Sequence, residues 1–188
     1  MPRSSSLMLT PMLLVAMAGC AKSSANSAVA KAEKDIAALP PDAAKVAPKE
    51  VKAMNESIAA LKTDIANGNF RDALMGGRGV SSQARDLALN LNARRTQITA
   101  AFNSTAEELP KRLATLQAKV DELGKARRLR PDVDATKFAA LKAALPSWTQ
   151  AWADASQAFK NGDIAVALSR ANEVKAHVAE AMRVVGLE

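Results

Sequence analysis

An all-α fold is predicted by three features of this sequence. Alanine, the strongest helix former, occurs 41 times in 188 residues. Apolar residues recur at alternating spacings of three and four, the period of one helix face. Aromatic residues are only 3% of the chain, with no tyrosine, and β-branched runs are scarce. Together these predict about six helices in antiparallel hairpins, arranged in two related halves.

The helices follow in order. The first is expected over residues 28–39, stopped by Pro40 and Pro41. The second starts near Pro48, a residue tolerated at a helix start, and its stripe is Val51, Met54, Ile58, Leu61 and Ile65. The turn NGN at 67–69 follows, with Gly68 suited to the left-handed position after a helix and Asn69 able to cap the next. The third helix carries Phe70, Leu74, Ala84, Leu87, Leu91, Ile98 and Phe102. Gly76, Gly77 and Gly79 weaken it, so either a kink or a close helix crossing is expected there.

A fourth helix is expected from the capping pair Ser104 and Glu107, with Pro110 near its first turn. Its stripe is Leu109, Leu113, Leu116, Val120 and Leu123, and KARRLR at 125–130 followed by Pro131 ends it. The fifth opens at Asp134 and carries the strongest periodic signal: Phe138, Leu141, Leu145, Trp148, Trp152, Ala155 and Phe159. Pro146 falls inside and is expected to kink it. The sixth runs from the turn NGD at 161–163 to about residue 185, with Val174, Val178 and Met182 inward.

The two turns belong to an internal repeat. NGNFRDAL at 67–74 and NGDIAVAL at 161–168 lie 94 residues apart and share their pattern of turn, apolar residue and Ala-Leu. Ile58, Leu61 and Ile65 align with Trp152, Ala155 and Phe159, and PDAAK at 41–45 echoes PDVDATK at 131–137. The expected division is 28–103 for one half and 104–188 for the other. The stretch AFKNGDIAVAL at 158–168 resembles the turn and second helix of a tetratricopeptide repeat, matching at Phe159, Gly162, Asp163, Ile164 and Ala167. The interval of 94 departs from that family's period of about 34 residues. A protein or peptide partner is what the resemblance implies.

The N-terminus speaks to location. Arg3 precedes an apolar stretch at 7–19, too short to span a bilayer, which needs about 20 apolar residues. This is the layout of a secretory signal peptide. Met17, Ala18, Gly19 and Cys20 resemble the bacterial lipoprotein box, with Met in the position where Leu is commoner. The resemblance implies cleavage before Cys20, a diacylglycerol thioether on its sulfur, and often acylation of the new amine. Two chains give stable anchoring where one does not. Ala21 after the cysteine points to the outer membrane, facing the periplasm. Residues 21–27, AKSSANS, read as a flexible tether.

Charge and chemistry narrow the function. Net charge is +7, and +6 without residues 1–19, where Arg3 is the one charged side chain. A basic surface favours anionic partners. Lys125, Arg127, Arg128 and Arg130 form the one dense cluster, a candidate contact for lipid, cell-wall polymer or an acidic protein, or simply a complement to a helix C-terminus. Nucleic acid is disfavoured for an exported, anchored protein. His177, with Glu173 and Glu180 on its helix face, is the one candidate metal group, and no metal is expected from so few donors. The sequence carries no nucleophile elbow and no haem-attachment pair, and GGRG at 76–79 lacks the lysine of a phosphate loop. Neither catalysis nor a cofactor is expected. The expectation is a lipid-anchored interaction or scaffold module, with a small-ligand or metal-binding protein as the alternative. Phe138, Trp148, Trp152 and Phe159 would line a ligand groove, or form core.

Overall fold

The computed structural model describes residues 13–126, 128, 130–131 and 133–187, with side chains from residue 20 onward. The elements are α1 (Leu13–Ala37), α2 (Ala43–Val46), α3 (Pro48–Ala66), α4 (Phe70–Lys125), α5 (Ala135–Lys160) and α6 (Ile164–Val184). The fold is all-α, with no strand among the described residues.

Three expectations are corrected. The proposed tether at 21–27 is helical: α1 runs through it, and Ala25 is fully buried. A small polar sequence still folds as helix where every third or fourth residue is an alanine or valine with a surface to pack on. The third and fourth helices are one. No boundary falls at Ser104, because α4 carries a buried stripe straight past it, through Phe102, Thr105, Leu109 and Leu113. Thr105, beside the expected cap, turns its hydroxyl back to the Ala101 carbonyl at 3.1 Å, as a mid-helix threonine does. Finally, α2 was not expected. Pro110 and Pro146 both lie inside continuous helices, each removing one backbone donor.

The chain forms two compact units, and α4 contributes to both. The division falls between Asn90 and Leu91 rather than at 103–104. Unit 1 holds α1, α3 and the start of α4. Its core sets small residues of α1 and α4 against larger ones: Ala25, Val29 and Ala32 from α1, Met54, Ile58 and Leu61 from α3, and Ala73, Val80, Ala84 and Leu87 from α4. Small side chains let helix axes approach closely, and the glycines show how closely. A Cβ on Gly77 would stand 2.9 Å from the Ala28 carbonyl carbon and 3.0 Å from the Val29 nitrogen. One on Gly76 would collide with Leu61 Cδ2. The glycine segment is thus a close crossing, inside an unbroken helix.

A polar latch fastens the same crossing. Ser81, 2% exposed, donates its hydroxyl to Asp35 Oδ2. Lys31 Nζ donates to Asp35 at 2.9 Å, and Arg85 Nε lies 3.7 Å from the same carboxylate. The Ser81 hydroxyl first, and then Lys31, holds the Asp35 carboxyl below its ordinary value of 3.8.

Unit 2 holds the rest of α4 with α5 and α6. Leu109, Leu113, Leu116, Val120 and Leu123 from α4 meet Phe138, Leu141 and Leu145 from α5 and Val174, Val178 and Met182 from α6. A second cluster centres on Phe102, whose ring stacks on Phe159 at 4.1 Å and on Trp152 at 5.7 Å. Asp134 caps α5, accepting from the Thr136 and Lys137 backbone nitrogens at 2.8 and 3.0 Å. Lys45 of α2 donates to the Asn161 carbonyl at 2.8 Å and pairs with Asp163 at 3.4 Å.

The repeat is real at the level of hydrogen bonds. After α3, the amides of Asn67, Gly68 and Asn69 reach the carbonyls of Thr63, Ile65 and Asp64. After α5, those of Asn161, Gly162 and Asp163 reach Gln157, Phe159 and Ala158, the same offsets 94 residues on. Gly68 and Gly162 adopt φ of 84° and 82°, which a side chain would strain.

Two outcomes are expected. Gly77→Val should cost about 1–3 kcal/mol, because the facing atoms are backbone and cannot yield. Gly79→Ala, with nothing within 4 Å of its Cβ, should instead stabilise by about 0.5–1 kcal/mol. Urea unfolding followed by circular dichroism measures both. The latch gives a pH signature. A lowered folded-state pKa means that Asp35 stabilises the fold above 3.8, and that this contribution fades as pH falls through the lowered value. The urea midpoint of Asp35→Asn should therefore lie below that of the parent at neutral pH and converge with it in strong acid.

Candidate functional site

The singled-out residues fall at three places. Cys20 is exposed, five residues before Ala25, the first described side chain of α1 that is buried. Of the apolar segment ahead of it, residues 7–12 lie outside the described residues and 13–19 form the start of α1. Of the basic cluster, Lys125 ends α4, and Lys125, Arg128 and Arg130 are all exposed. Arg127 lies outside the described residues. Arg130 Nη2 donates to the Val185 carbonyl at 3.3 Å. It thus complements a helix C-terminus, that of α6 rather than that of the helix it follows.

The third place is the outer face of the α5–α6 hairpin. Trp148 on α5 and His177 on α6 stack face to face, centroids 5.5 Å apart and rings within 1° of parallel. His177 is exposed and Trp148 half-buried. The pair walls two grooves. One, of about 320 Å³, is apolar, lined by Ala140, Leu141, Ala144, Ala181 and Val184, with Lys137 and Glu180 at its edge. The other, of about 460 Å³, is of mixed character, with Ser147, Asp154, Arg170 and Glu173 along it beside Ala151 and Val174. The expected aromatic row is therefore divided. Phe138 is core, Trp152 and Phe159 stack on Phe102, and Trp148 alone faces a groove. Among the described residues no three His, Cys, Asp or Glu side chains gather as metal ligands. No described helix is long and apolar enough to cross a membrane.

Compared with known proteins, the chain matches no family model, no curated protein and no solved structure.

Unit 1 has a groove of its own between α3 and α4, of about 370 Å³. Its lining includes Ser57, Ala60, Gly76, Gly79, Val80 and Gln83. Adding 94 to each number gives Ala151, Asp154, Arg170, Glu173, Val174 and His177, all in the lining of the mixed groove of unit 2. Both hairpins thus carry a groove at equivalent positions, with different chemistry. Small uncharged side chains line the first, and charged and aromatic ones the second. This was within reach of the sequence, since the 94-residue offset was visible. Which helix positions flank a groove was not.

The stacked pair is open to a direct check. With Trp152→Phe leaving Trp148 as the single indole, His177→Ala should increase quenching of its fluorescence by acrylamide, since one face of the ring loses its cover. An unchanged quenching slope would contradict the stacking.

Proposed function

We propose that this protein is a lipid-anchored, non-catalytic interaction module of the bacterial cell envelope, held to the outer membrane through Cys20 and facing the periplasm. The observation that carries the reading is the position of Cys20. It follows a lipoprotein-box segment, it is exposed, and the packed domain begins immediately behind it. A thiol so placed can take a bulky acyl group without disturbing any core contact. The interaction role is supported by the repeated hairpins, each with an open groove on its outer face. A protein or cell-wall polymer would lie along such grooves, with the exposed Lys125, Arg128 and Arg130 as a further anionic contact.

The second reading is a small-ligand protein. It is favoured by the apolar groove against Trp148, where a few polar groups border an apolar wall, the usual make-up of a ligand site.

The anchor is tested by Cys20→Ser expressed from the full precursor. The variant should stay folded by circular dichroism, remain uncut, and move from the membrane fraction to the soluble fraction. Mass spectrometry of the parent should find acyl chains on residue 20. Normal processing and membrane attachment of the variant would refute the reading.

A further inference from the structure

The start of α4 carries an unusual solvent face. Arg71, Met75, Arg78, Ser82, Arg85 and Leu89 follow at spacings of 4, 3, 4, 3 and 4. At 3.6 residues per turn they fall within about 40° of one line along the helix. All six are exposed, on the side opposite the buried stripe. The line holds three arginines and no acid; Asp72 and Asp86 flank it. It also holds Met75 and Leu89, 60% and 82% exposed. Among the described residues Val166 is the one other large hydrophobic side chain left exposed, at 38%.

The cysteine lies on the same side of unit 1. α1 and α4 run in the same direction, since Gly77 meets Ala28 and Ser81 meets Lys31 three residues later on α1. On α1, Cys20, Ser24, Ser27 and Lys31 follow at spacings of 4, 3 and 4, and all are exposed. Lys31 and Arg85 both reach Asp35, so this line runs along the α1–α4 seam beside the arginine line.

We infer that this face of unit 1, the arginine line of α4 together with the Cys20 line of α1, docks on an anionic lipid bilayer. The inference rests on the anchor reading for its orientation and adds what that reading lacks, the surface that lies on the membrane. The chemistry fits one occupant. The guanidinium groups of Arg71 and Arg78, about 10 Å apart along the helix, match lipid phosphates, which they grip through paired N–H donors, while Arg85 is held by Asp35 at the seam. Met75 and Leu89 stand on the same line, placed to enter the acyl boundary while the arginines stay at headgroup level. With α1 helical up to the cysteine, no slack separates lipid from domain. Unit 1 lies flat on the bilayer instead of swinging on a leash.

The test uses the chain beginning at residue 20 and carrying Cys20→Ser, which keeps every described buried side chain and has no acyl group. Its co-sedimentation is measured with vesicles of phosphatidylcholine alone and with added phosphatidylglycerol. The expected result is binding to the mixed vesicles and little to the neutral ones. Arg71→Gln with Arg78→Gln should lower the partition coefficient about fivefold for each charge removed. Met75→Ser with Leu89→Ser should lower it as well. Arg170→Gln with Lys175→Gln, an equal loss of charge in unit 2, should leave it within about twofold, against the fivefold expected per charge on the docking face. Circular dichroism confirms that each variant is folded. An equal drop from the unit 2 pair, equal binding to neutral vesicles, or no binding to either would overturn the proposal. The last outcome would leave the face to a protein partner. None of these results depends on acylation of Cys20, which fractionation of the precursor variant decides separately.

Discussion

The buried stripe of α4 runs from Ala73 to Leu91 and resumes from Phe102 to Leu123, and two separate cores are built along it. Its first part offers alanine, valine and glycine, and its second part leucine and phenylalanine. That difference sets how each unit packs. Against small residues the partner helices come close enough for Gly77 to meet the α1 backbone, so backbone shape governs unit 1. Leucines and Phe102 meet their partners through side chains, so unit 2 is held by apolar volume and ring stacking. Pro110 lies on the exposed side of α4, next to the buried Leu109. A lost backbone bond of this kind costs about 3 kcal/mol in a helix interior, yet the helix continues. The core on either side of the proline requires both of its neighbours, Leu109 and Leu113, to stay in register.

The latch at Asp35 follows from the close packing of unit 1. A serine buried at a tight crossing must find a hydrogen-bond partner, and Ser81 finds the carboxylate on the facing helix. The carboxylate then draws in Lys31 and Arg85, which fixes α1 along α4. The Cys20 line of α1 is held in place by the same contacts. Where Cys20 lies and where the arginine line points are therefore set by one crossing.

The repeat separates what was kept from what changed. The turns at Gly68 and Gly162 use the same three hydrogen bonds, and the two grooves occupy equivalent positions. Gly79 in the first becomes Glu173 in the second, and Gln83 becomes His177. The turn backbone is alike in both because a left-handed glycine admits few substitutes. The differing side chains Gln83, Glu173 and His177 face solvent, where no core contact fixes their identity.

By itself the sequence determined the helical class, the inward stripes, the two glycine turns and the 94-residue repeat. Each of these is local or periodic: helix propensity, a 3.6-residue period, a positive φ. The candidate lipidation site was legible for the same reason, as four consecutive residues ending at Cys20. Only the tertiary structure decided whether Ser104 begins a helix, whether residues 21–27 are slack, and what the glycines at 76–79 are for. A capping serine acts only where a helix ends, and that depends on whether the core beyond it continues. A run of small polar residues becomes helix only when a neighbouring surface buries its alanines. Nor could the sequence show that Arg130 serves α6, that Trp148 stacks on His177, or that the Cys20 and Arg78 lines share a face. These are pairings between distant segments, and their partners are chosen by packing.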